Sequence, residues 1–112
     1  MKRFFLVSLL TLACAASAAG LDFYKEGAIC DRKSGFCADS MGVSLGLTKL
    51  YLGEKAEQKL MAEINKVGVQ AFDPTTFTMS SGLSCDTKLR TCWTSRLDKT
   101  VDAKATQTLF AR

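Results

Sequence analysis

The sequence predicts an α+β fold: a small disulfide-stabilised domain with two cysteine-bearing β-hairpins, a helical segment between them and a C-terminal helix. Three observations predict it. The phrase G-x-x-C-D-x-K-x-x-x-C occurs twice, at residues 27–37 and 82–92, an offset of 55. Apolar residues recur at helical spacing between the two copies and again after the second. The 112 residues include five cysteines, four of them inside the repeated phrase, and no histidine.

The N-terminus reads MKRFFLVSLLTLACAASAAG. Lys2 and Arg3 precede an apolar run at residues 4–16, and small residues close the segment, the pattern of a secretory signal peptide cleaved after Ala19. The run of 13 residues is shorter than the ~20 needed to span a bilayer, so the mature chain is expected to carry no transmembrane segment. An alternative is a lipoprotein anchored through Cys14, although Thr11 stands where such sites prefer an aliphatic residue. Cleavage leaves a single domain, 20–112, and lowers the side-chain charge from +4 (15 minus 11) to +2 (13 minus 11). So weak a charge, with no dense basic face, argues against a nucleic-acid partner.

Loss of Cys14 leaves Cys30, Cys37, Cys85 and Cys92, an even set that an oxidising compartment turns into two disulfides. Both pairs are spaced C-x6-C. In an antiparallel hairpin with a four-residue loop, positions i and i+7 lie opposite one another on the same face. The spacing therefore favours Cys30–Cys37 and Cys85–Cys92, with Cys30–Cys85 plus Cys37–Cys92 as the rival pairing. In the first copy Gly35 supplies the position that wants a positive φ. The second loop, 87–90, has no such glycine.

After Cys37, Val43, Leu47, Leu50 and Tyr51 form a helical stripe, with Ser40 or Ser44 as cap and Gly53 as stop. EKAEQKLMAEINKVG is the strongest helix signal: Ala56, Leu60, Ile64 and Val67 share a face and charged residues occupy the other. Asp73-Pro74 starts a turn. Residues 76–80 alternate as a half-buried strand with Phe77 and Met79 inward, expected to run on towards Cys85. The tail is helical from Asp102, its N-cap, with Val101, Ala105 and Leu109 on one face and Arg112 in the last turn. Two related hairpin-plus-helix units sharing one core account for the repeated phrase.

The segments GAICDRKSGFCADSMGVSLGLTKLYLG, FDPTTFTMSSGLSCDTKLRTC and VDAKATQTLF resemble the Fels-1 prophage-like family, small exported bacterial proteins of the YcgJ type. The shared elements run in order along nearly the whole mature chain. The resemblance implies a Gram-negative periplasmic location and carriage by prophages. It implies no activity and no catalytic residue.

The residue inventory points the same way. Without histidine, Ser-His and Cys-His nucleophiles are excluded, together with the commonest metal ligand. Asp31 and Asp86 are equivalent in the two copies, but an aspartate beside a hairpin loop is explained by hydrogen bonds to turn amides. No catalytic, cofactor or metal site is assigned, and the protein is read as a non-enzyme. The leading expectation is a binding module for a protein or cell-envelope component. Its candidate contacts are Arg32, Lys33, Lys88 and Arg90 at the hairpin tips, and Trp93, the sole tryptophan, facing away from Cys92 beside Thr76, Thr78 and Ser80. The alternative is an inhibitor of an envelope hydrolase, lysozyme-inhibitor-like, whose cationic tips enter an acidic cleft, or a phage-derived envelope protein.

Overall fold

The computed structural model describes residues 20–111; the segment expected to be a signal peptide, with Cys14, and Arg112 lie outside them. Four strands, β1 (Leu21–Tyr24), β2 (Ala28–Asp31), β3 (Phe36–Asp39) and β4 (Gly42–Ser44), form an antiparallel sheet in sequence order. Helices α1 (Leu45–Leu52) and α2 (Glu54–Val67) follow. A second antiparallel sheet holds β5 (Thr76–Thr78), β6 (Ser84–Asp86) and β7 (Thr91–Trp93), and α3 (Ala103–Phe110) ends the chain.

The two expected hairpins are β2–β3 and β6–β7, each with a four-residue loop. Cys30 stands opposite Cys37 and Cys85 opposite Cys92, and these are the disulfides. Their Cα atoms are 4.0 and 4.1 Å apart, as close as non-hydrogen-bonded cross-strand neighbours come. Gly35 takes the positive φ its loop requires, 84°. Its counterpart 55 residues on is Arg90, at φ 50°, the one non-glycine residue with positive φ among the described residues. A left-handed L-residue costs roughly 1–2 kcal/mol. Arg90 offsets this by donating to the Phe110 carbonyl (2.5 Å) and laying its guanidinium 5.4 Å from that ring's centre.

The duplication extends beyond the repeated phrase. Leu21 pairs with Asp31 as Thr76 pairs with Asp86, and Ala38 pairs with Val43 as Trp93 bridges Val101. Ser44 and Asp102 cap the following helices, their side chains accepting from the amides of Leu47 and Ala105. Four residues past each cap stands a threonine, Thr48 and Thr106. Each hydroxyl accepts the amide of the second cysteine, Cys37 or Cys92, at 2.9 Å. A buried amide needs a partner, and the helix supplies it, which pins each helix over its own disulfide. The D-x-x-x-T opening of α3 is therefore the second copy of the S-x-x-x-T opening of α1.

Packing follows from strand alternation. Cys30 and Cys37 face α1, whereas Ile29 and Ala38 face the other way, into a cluster with Phe77, Met79, Leu83, Cys85, Cys92, Ala105, Leu109 and Phe110. The C-terminal helix is the wedge between the halves, with Leu109 and Ala105 fully covered. The halves also join where Val43 donates its amide to the Pro74 carbonyl (2.9 Å), beside Gly42 at φ 115°.

Three expectations need correction. Val43 belongs to β4 and not to the α1 stripe, because the chain is held in the ladder until Ser44 caps the helix. The strand at Phe77 does not run on to Cys85: a turn closed by Gly82 N–H to the Met79 carbonyl (2.8 Å) makes β5 and β6 antiparallel neighbours. Val101 is exposed and lies before α3, off its apolar face. In α2 the predicted face is the right one, but Ala56, Leu60 and Ile64 are only half-buried and Val67 is exposed, since the helix rests on α1 and merely touches β3.

Candidate functional site

Three segments converge at one end of the molecule: the first hairpin tip (32–35), the β5–β6 turn (80–82) and the connection from β7 to α3 (94–100). The residue that joins the first two is Asp31. Its Cα lies at the end of β2, its side chain is fully buried, and its carboxylate collects donors from both halves. The Lys33 amide donates to Oδ1 (3.1 Å), which caps the tip. The Ser80 amide donates to Oδ2 (2.6 Å) and the Ser80 hydroxyl to Oδ1 (2.8 Å). Burial alone would push the Asp31 carboxyl up, but the hydrogen bonds from Ser80 and Ser34 outweigh it and hold the group below its usual value.

Asp86 makes the equivalent cap, accepting from the amides of Lys88 (2.9 Å) and Leu89 (3.3 Å), and reaches no further. Both aspartates thus have the turn-capping role. Asp31→Ala is expected to lower stability by about 2–3 kcal/mol, the cost of stranding several donors, and Asp31→Asn by less. The folded value lies below the unfolded one, so this stabilisation is complete above the unfolded pKa. It disappears as pH falls through that value towards the folded one. Urea titrations from about pH 7 to about pH 2.5 should show a steeper acid loss for the wild type than for Asp31→Asn.

The tip leans over α2. Arg32, Lys33, Ser34 and Gly35 on one side and Ala56, Lys59, Leu60 and Glu63 on the other line a groove of about 550 Å³. Arg32 is held by Asp22 at 3.3 Å, and Glu63 by Lys66 at 3.8 Å. Lys33 and Lys59 are exposed and make no ion pair among the described residues.

From the β5–β6 turn, Gly82 abuts the Thr94 carbonyl and Ser95, which brings segment 94–100 to the same end. Trp93 lies on the sheet face opposite Cys92, in one row with Ser84 and Thr78, whose hydroxyls are 3.2 Å apart. The ring is half-buried, and Lys99 Nζ stands 4.4 Å from its centre. Arg96 is exposed and has no ion pair among the described residues.

The other two candidate cations are elsewhere, at the opposite end of β6. Arg90 is engaged with Phe110. Lys88 lies near Asp73, whose carboxyl is held low first by the Thr75 hydroxyl and amide and only then by that lysine. Among the described residues no group of three or more His, Cys, Asp or Glu side chains could hold a metal, and no helix is long and apolar enough to cross a membrane. Ser80, read from the sequence as part of the Trp93 surface, is instead bound to Asp31; the residues that the sequence reading passed over are Arg96, Leu97 and Lys99. Their signal is the longer connection in the second copy: nine residues separate Cys92 from Asp102, against six between Cys37 and Ser44.

Residues 21–110, from the first strand to the end of α3, match the family described as YcgJ protein. The chain is 37% identical over 82 residues to the uncharacterized protein YcgJ of Escherichia coli (strain K12), an alignment covering 73% of this chain and 61% of that relative. The matched part thus spans less than two thirds of the relative's length. No solved structure matches the chain.

Proposed function

Because the chain belongs to the YcgJ family, whose E. coli relative is itself called uncharacterized, we propose a function from the surface: an exported, periplasmic, non-enzymatic module that binds an acidic protein or cell-envelope component. The observation that carries this is the imbalance at the Asp31 end. Two of its carboxylates sit in ion pairs, Asp22 on Arg32 and Glu63 beside Lys66. Asp31 and Asp98 keep their charge on the neutral donors Ser80 and Thr100, two anions against the cations Lys33, Lys59, Arg96 and Lys99. Among the described residues Lys33 and Lys59 are left without an ion pair on a groove floored by Ala56 and Leu60, and Arg96 is likewise without one on segment 94–100. Cations without internal partners attract an anionic ligand and speed its arrival. A disulfide-braced scaffold keeps them in place.

The test is cross-linking in living cells, identification of the captured component by mass spectrometry, and binding assays with purified material. Lys33→Glu combined with Lys59→Glu should weaken binding at least about tenfold at low salt and leave the melting temperature unchanged. Wild-type binding by that variant, or no partner at any ionic strength, would overturn the reading. A more specific version, inhibition of an envelope hydrolase, is favoured by the stiff connection at residues 94–100, since a preformed loop is what enters a cleft at low entropic cost.

A further inference from the structure

The two halves act as controls on one another. Both contain the same pair of strand contacts, Ala38 with Val43 and Trp93 with Val101, and both then enter a capped helix. In the first half four residues, 39–42, join the paired positions; in the second, seven do, 94–100. The fold needs only the short turn, so the three extra residues answer to something else.

Those residues are stiffened. Asp98 Oδ1 accepts from the Thr100 amide (3.1 Å) and hydroxyl (2.7 Å), and Ser95 Oγ accepts from the Asp98 amide (2.8 Å). The Thr94 amide donates to the Thr100 carbonyl (2.9 Å), and Lys99 lies on Trp93. At the apex of this brace stands Leu97, 93% exposed, more than any other large apolar residue described. Arg96 flanks it without an ion pair. A shallow recess of about 310 Å³ behind the apex, bordered by Thr78, Gly82 and Ser95, leaves room for a rim to seat. Ordering a loop and then leaving its aliphatic tip in water gives nothing to folding. It does lower the entropic cost of binding.

We propose that loop 94–100 is a preformed docking loop whose Leu97 enters an apolar pocket bordered by carboxylates on a partner protein, with Arg96 meeting those carboxylates. This rests on the binding reading above and names the element that carries its specificity. A protein is favoured over a lipid surface because one aliphatic side chain is too little to hold a domain on a bilayer.

The experiment uses the full-length exported protein with a photo-reactive residue at position 97 or at position 33. A protein adduct from position 97 is expected, attached beside acidic residues of the partner. With that partner purified, Leu97→Asp and Arg96→Glu should each weaken binding at least about tenfold, while Arg96→Lys keeps most of it. Replacing residues 94–100 by the Asp-Ser-Met-Gly turn of the first half should abolish binding and leave the melting temperature unchanged. Adducts from position 33 alone, with Leu97→Asp binding normally, would overturn the loop proposal while the binding reading stood. No adduct from either position would end both. Variants that melt earlier in proportion to their loss of binding would make the loop structural. Retention on phosphatidylglycerol vesicles that Leu97→Asp abolishes, with no protein adduct, would replace the protein partner by a membrane.

Discussion

Replacing Cys30, Cys37, Cys85 and Cys92 by alanine is expected to leave the chain largely unfolded at physiological temperature. Each bridge closes a loop of eight residues, counting both cysteines, which in the chain-entropy account is worth about 2.5 kcal/mol. Both together approach 5 kcal/mol, against a total stability of roughly 5–14 kcal/mol for a domain of this length. The two bridges are not equivalent. Cys85 and Cys92 lie within the shared core beside Leu109 and Phe77, whereas Cys30 and Cys37 face α1. Removing the second pair therefore also opens a cavity between the halves, and Cys85→Ala with Cys92→Ala should be the more damaging double variant. Guanidinium titrations followed by near- and far-ultraviolet circular dichroism give the order. Full retention of the melting temperature after reduction would refute the expectation.

The second large effect is expected at Gly42. A Cβ built there would sit 2.1 Å from the Pro74 carbonyl oxygen and 2.8 Å from its carbon, both backbone atoms. The residue also has φ 115°, where side chains are strained regardless of space. Gly42→Ala must push the two sheets apart and break the bond from the Val43 amide to Pro74. Strain, clash and the lost hydrogen bond together should cost about 3–5 kcal/mol. Gly35→Ala is the control: it shares the positive φ but has no atom within 4 Å of the added carbon, so it should cost only about 1–2 kcal/mol. Equal losses at the two positions would show that the seam with Pro74 contributes nothing.

The sequence disclosed the hairpins because their determinants are local. Seven-residue cysteine spacing, Gly35 at the turn and Asp31 and Asp86 as loop caps act within a few residues, and all sit where spacing puts them. The caps of α1 and α3 were legible for the same reason. What stayed hidden is set by distant contacts. The strands β1 and β4 have four and three residues, too few to show a period, and exist because neighbouring strands pair with them. Amphipathicity in α2 told which side faces the protein and not how little would cover it. Arg90 looked like a free cation since Phe110, its partner, is 20 residues away. The docking loop was concealed by the repeat itself: the offset is 55 up to Cys92 and 58 from Asp102 onward, so a fixed-offset comparison loses register where the extra residues begin.

Since both sulfur bridges join residues only seven apart, each half can be sealed before the other exists. As the polypeptide emerges N-terminus first, Cys30 meets Cys37 while Cys85 is still unavailable, and short loops close within tens of nanoseconds whereas a 55-residue excursion closes more slowly. Oxidation in order of appearance therefore yields the native connectivity without later reshuffling. A shuffling catalyst should be dispensable for this chain, and only a simple oxidant required.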